Sequence, residues 1–140
     1  MNILRLELNY FRNYIAQKVE LSPNVNIFSG DNAQGKTNLL EAVYFMSLGK
    51  SMRTPRDKEL IMWDHKRGRV KAEISKKAGV KTVEIVLDAE TNKRVAVNGM
   101  PITRIGELMG VITTVLFSPD EIDIIKDTPQ KRRRFMDIAL

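Results

Sequence analysis

Residues 30–37 read Gly-Asp-Asn-Ala-Gln-Gly-Lys-Thr and fit the pattern G-x-x-x-x-G-K-[ST] without a mismatch. The residue types explain what such a stretch can do. Gly30 and Gly35 allow positive φ angles and a close approach of backbone to an anion. A helix starting directly after them would aim unpaired N–H groups and its positive dipole end at that anion. Lys36 has the reach to contact the β- and γ-phosphates of a nucleotide, and the Thr37 hydroxyl is placed to ligate Mg²⁺. Asp31, Asn32, Ala33 and Gln34 fill the loop between the glycines, and Asn38 follows the metal-ligating hydroxyl. Asn32 and Asn38 read as loop-shaping groups. The chemistry on offer is the gripping of a triphosphate.

Elements around the loop must hold it in place. "NILRLELNYF" and "IAQKVELS" alternate apolar with polar residues, a strand signal broken at Asn13-Tyr14, and "NVNIFS" reads as a third short strand leading into the loop. From Asn38 the apolar spacing is helical, with Leu39, Leu40, Val43, Tyr44 and Phe45 as expected core and Gly49 as C-cap. Residues 50–67 read as a loop with a short helix near Leu60. "RVKAEISKK" and "VKTVEIVLD" are alternating strands joined at Ala78-Gly79, and Asn98-Gly99 is a strong hairpin signal. A short helix is expected from Thr103 to Met109. The run "VITTVLF" suits a strand buried on both faces. Ser118, Pro119 and Glu121 form a capping box for one helix, and Thr128-Pro129 opens another.

These signals predict a mixed α/β P-loop NTPase domain with an antiparallel β subdomain inserted after the first helix. No lysine–aspartate base-reading motif of a GTPase follows the loop. The antiparallel strands around it suit an ATP-binding-cassette (ABC-type) ATPase head lobe better than the alternating βαβ units of a small-molecule kinase.

The chain has 140 residues, enough for one domain with a real core, and no cysteine, so neither a disulfide framework nor a thiolate metal site is available. That usage fits a reducing cytoplasm. No basic segment precedes an apolar leader, and no apolar run approaches the roughly 18 residues of a membrane helix, so a soluble, unexported protein is expected. The net charge of +6 favours polyanionic partners. Residues 50–71 concentrate it, with eight Lys/Arg against three acids. Lys50, Arg53 and Arg56 are the cations most suited to successive DNA phosphates. The end of the chain, "PQKRRRFMDIAL", reads as a helix interrupted in mid-pattern, which suggests a fragment of something longer.

The stretches "NYFRNY", "GDNAQGKTNLLEAVYFMSLGKSMR", "VNG" and "LFSPDEIDIIKDTPQKRRRFMD" together resemble the amino-terminal part of the bacterial RecF family across nearly the whole chain. The resemblance implies a cytoplasmic DNA replication and recombinational-repair ATPase, tied to DNA damage and the SOS response. It implies ATP with Mg²⁺ as ligand, an ATP-dependent homodimer, and double-stranded DNA with RecO and RecR as partners in loading recombinase at gaps. It also implies a phosphate contact by Arg12 in the turn with Asn13, and adenine contacts near Trp63-Asp64-His65. Ala33 departs from the glycine common in related loops, a change harmless if its φ stays negative. The family's Walker B carboxylates, signature motif and coiled coil have no counterpart here, and residues 1–140 would form a partial head, lobe I. Asp120 and Glu121 read instead as helix-capping acids. The piece is therefore expected to bind ATP and to hydrolyse it little or not at all. The four cations 131–134 spread around a helix and are not assigned to DNA. A self-sufficient P-loop kinase and a non-catalytic DNA-binding module are the competing functions.

Overall fold

A computed structural model describes residues 1–108 and 110–117 of the chain. Six strands form one antiparallel sheet in the order β2-β1-β3-β4-β5-β6. They are β1 (Asn2–Phe11), β2 (Tyr14–Glu20), β3 (Arg67–Lys76), β4 (Gly79–Asp88), β5 (Arg94–Val97) and β6 (Met100–Ile102), and the helix α1 spans Lys36–Leu48. Two short 3-10 turns, Asp57–Leu60 and Ile105–Leu108, complete the described elements.

The alternation read in the sequence becomes two sheet faces. Leu6, Leu8 and Phe11 of β1, Val70, Ala72 and Ile74 of β3, and Val83, Ile85 and Leu87 of β4 all point to one side and are buried. Against them α1 lays Leu39, Ala42, Phe45 and Met46, with the Phe11 and Phe45 rings 6.4 Å apart. Each of these side chains larger than alanine contributes about 1.5–3 kcal/mol on burial. The opposite face is wet and carries ion pairs between neighbouring strands: Arg5 with Glu20 and Glu73, Arg69 with Glu84 and Glu7, and Arg67 with Asp88. Much of the basic stretch 65–71 is thereby matched by acids of the sheet.

Several local signals hold. Gly49 caps α1 with φ 63° and donates its N–H to the Phe45 carbonyl at 2.8 Å. Asn98 (φ 51°) and Gly99 (φ 78°) both take the left-handed conformation that the tight turn between β5 and β6 requires. Helix α1 begins at Lys36, two residues before the apolar spacing shows it.

Others are corrected. Residues 24–29 form no strand, and Val25 and Ile27 are 75% and 85% exposed. In "VITTVLF" only Val111 and Ile112 are buried; the rest is irregular, with Val115 and Phe117 93% and 84% exposed. Both runs have the composition of strands, but among the described residues neither forms a ladder, and Ile112 makes only an isolated bridge. The helix expected over 103–109 is the 3-10 turn Ile105–Leu108. In α1, Leu40 is exposed, and Met46 takes its place on the buried face. The caps at Ser118–Glu121 and Thr128-Pro129, and the cations 131–134, lie outside the described residues.

Candidate phosphate-binding site

The first turn of α1 has two unusual absences. Its N-cap, Gly35, supplies no side-chain hydrogen bond, and no acidic residue sits in that turn. The N–H groups opening the helix are thus left without the side-chain acceptor that a capping serine or aspartate would give, and the dipole end has no neutralising carboxylate. An anion fits that deficit.

Gly35 is required for two separate reasons. Its φ is +102°, and a Cβ there would lie 2.7 Å from Asn13 Nδ2 and 3.0 Å from the Tyr14 hydroxyl. The turn between β1 and β2 is pressed against the loop at this point. Tyr14 donates its hydroxyl to the Gly35 carbonyl at 3.1 Å, and Asn38 Nδ2 donates to Asn13 Oδ1 at 2.9 Å. Partial burial raises the Tyr14 phenol above its usual pKa, which keeps it protonated as the donor. So Asn13 and Asn38 meet as a pair bracing the loop from behind.

Lys36 curls back over the loop and donates its ammonium to the carbonyls of Gly30 (2.7 Å) and Asp31. Gly30 has φ +150°. Asp31, Asn32, Ala33, Gln34 and Thr37 are all exposed around the same mouth. Ala33 has φ +64°, so the negative φ expected for it is not what the loop adopts. The turn demands a left-handed residue at this point, at a cost of about 1–2 kcal/mol for any residue with a Cβ.

Arg12, also left-handed at φ 52°, faces inward. Its Nε and Nη2 donate to the two carboxylate oxygens of Glu41 at 2.9 and 2.8 Å, and its Nη1 donates to the Glu59 carbonyl at 2.9 Å. These bonds use three of the five guanidinium N–H donors, leaving one on Nη1 and one on Nη2.

Lys50, Arg53 and Arg56 lie together on the loop after α1, all exposed. Arg53 Nη1 donates to Asn38 Oδ1 at 2.9 Å, which joins this loop to the phosphate cradle. Arg56 lies 3.7 Å from Glu59. An open cavity of about 470 Å³ is lined by Lys50, Ser51, Arg53 and Lys93, with Asp57 holding Lys93 at 2.6 Å. Farther along, Tyr10 and His65 stack with ring centroids 4.1 Å apart, and Trp63 is 90% exposed.

Glu41 is the residue that sequence reasoning missed. It is fully buried on α1. Its setting, "LLEAVYFM", held the signal: an acid inside an apolar run must find a cation, or burial would neutralise it.

Comparison with known proteins places the chain as a whole. The AAA domain family model matches residues 5–137. The DNA replication and repair protein RecF of Clostridium kluyveri is 49% identical over 140 residues, all of this chain and 38% of that protein. A solved structure of the recombination mediator protein RecF-ATP superposes with a TM-score of 0.89 at 36% identity, over 97% of this chain and 37% of that one. An SMC ATPase structure, described in terms of ATP-driven dimerisation, matches over 100% of both chains with a TM-score of 0.82. Its 21% identity makes this a likeness of fold. The architecture is that of a P-loop ABC-type ATPase head. The chain spans 38% of the length of the RecF proteins it matches. The chain belongs to the AAA domain family, and it resembles the amino-terminal ATPase-head portion of RecF.

Proposed function

We propose that the chain is the ATP-binding lobe of a RecF-type DNA replication and repair ATPase. One observation carries this reading: an uncapped helix start, preceded by a glycine loop and crossed by the Lys36 ammonium. In this reading the backbone of Gly30–Gly35 and the N–H groups of Lys36, Thr37 and Asn38 surround the phosphates. Lys36 moves from its loop carbonyls to the β- and γ-phosphates. Thr37, exposed at the mouth, offers its hydroxyl to Mg²⁺. Among the described residues no three acids or histidines cluster to hold a metal by themselves, so the ion would depend on the phosphate oxygens. Asn13 braces the cradle, and Arg12, held in place by Glu41, offers its two remaining N–H donors to a phosphate.

Hydrolysis needs a group that orients the attacking water, in this reading a carboxylate. The described residues place none at the loop mouth except Asp31, a loop residue before the lysine. We assign that role to the part of the RecF-type polypeptide beyond this lobe, so the lobe alone binds ATP and turns it over slowly or not at all. Dimerisation on ATP follows the SMC likeness, and double-stranded DNA contact falls to Lys50, Arg53 and Arg56. Action with RecO and RecR in recombinase loading, in a bacterial cytoplasm, completes the reading by likeness to RecF.

Titration with ATP, GTP and ADP in the presence of Mg²⁺ tests it. Wild type should bind ATP, and Lys36→Ala should weaken binding by about 100-fold, the value of a lost charge-assisted contact. Equal binding by wild type and Lys36→Ala would remove the reading.

A further inference from the structure

The loop that carries Lys50, Arg53 and Arg56 is closed at both ends on one buried ion pair. At its start, Ser51 donates its hydroxyl to Glu41 Oε1 at 2.6 Å. The Ser51 Oγ in turn accepts the backbone N–H of Arg53 at 3.0 Å and of Thr54 at 3.2 Å, so the orientation of this hydroxyl sets the turn that presents Arg53. At its end, Arg12 holds the Glu59 carbonyl through Nη1 and the Leu60 carbonyl through its backbone N–H, at 2.9 and 2.8 Å. Between these anchors Thr54 donates to Glu59 Oε2 and accepts the Arg56 N–H at 3.2 Å. Glu41 is completely buried, Arg12 is partly buried with 19% of its side chain exposed, and they share two hydrogen bonds. Arg53 also approaches Glu41 at 3.6 Å. The pair sits one turn into the helix that opens at the phosphate loop.

We propose that Glu41 is a positioning residue for polyanion binding: clasping Arg12 and Ser51, it fixes the shape of the basic loop so that Lys50, Arg53 and Arg56 meet successive phosphates of a DNA duplex. This rests on the assignment of DNA contact to those three cations. Nothing in it requires Glu41 to touch DNA. A mobile loop would carry the same charge, but each long side chain would have to be ordered on binding, at a cost in affinity.

The inference makes a prediction opposite in sign to simple electrostatics. Glu41→Gln removes a negative charge near the loop, and charge alone would then tighten DNA binding. Positioning predicts that affinity for a short fluorescent duplex, measured in the complete polypeptide with MgATP, falls about fivefold. The slope of log affinity against log salt should also shrink by roughly the 0.9 of one phosphate contact. Ser51→Ala leaves the Glu41–Arg12 pair in place and should weaken binding about threefold in the same direction. If Glu41→Gln fails to fold, Ser51→Ala decides alone. Unchanged or tighter binding by these variants overturns the proposal, provided that replacing Lys50, Arg53 and Arg56 together by Gln weakens binding. If that triple replacement has no effect, the DNA assignment itself falls and takes the proposal with it.

Discussion

Single residues at the phosphate loop show how local backbone demands meet chemistry. Gly35 could not be anything else, because both its φ and its contact with Asn13 exclude a side chain. Ala33 is the opposite case, a Cβ tolerated at φ +64° in an exposed loop. Ala33→Gly should relieve about 1 kcal/mol of left-handed strain. Nucleotide titration and thermal melting check it: ATP binding should be at least as tight as in wild type, and melting should not fall. The glycines and Lys36 were legible in the sequence because the loop's requirements are local. Glu41 was not, because its burial is decided by Arg12, separated from it by 29 positions. For Arg12 the resemblance implied a phosphate contact, and its pairing with Glu41 becomes visible only in the folded chain.

At the scale of elements, the start of β3 approaches the end of β1 more closely than a side chain at Gly68 would allow. A Cβ on Gly68 would lie 2.8 Å from the Tyr10 carbonyl oxygen, which also accepts the Met62 N–H at 2.8 Å. Gly68→Ala must push the start of β3 away from the end of β1, where Tyr10 stacks on His65. A loss of about 1–3 kcal/mol is expected from denaturant unfolding, the usual cost of inserting atoms into a packed contact. Nucleotide affinity should change little, because the loop braces on Asn13 and Tyr14 instead. Hairpins and the α1 C-cap were readable because turn residues act over a few positions. The apolar runs 24–29 and 111–117 were misread for a general reason. β-branched composition says that a segment suits a strand, but only a neighbour supplying N–H and C=O groups makes it one.

Among the described residues, an apolar layer lies between the sheet and α1, and the other sheet face carries a lattice of charges. Asp88 belongs to that lattice, and hydrogen bonds from the Glu90 N–H and from Arg67 hold its carboxyl below the usual 3.8. The Arg5 hydrogen bond does the same for Glu20, below its usual 4.5. Because both folded values are depressed, their stabilisation is present above the ordinary carboxylate range and is lost as pH falls through the lowered values. The melting temperature should therefore hold near neutrality and drop in acid. Asp88→Asn should melt lower than wild type at neutral pH, with the difference vanishing at the acid end. A constant difference across the range would mean that the Asp88 charge is not involved.

The two-sidedness of the sheet also makes the molecule easy to handle. Lys71, at the middle of β3 between Glu7 and Glu84, sits on the wet side, away from α1 and the phosphate cradle. With no native cysteine in the chain, Lys71→Cys would provide one thiol for tethering to a sensor surface. Molecules anchored there would hang by the charged face of the sheet, with α1 and the glycine loop at its start turned toward the flowing solution.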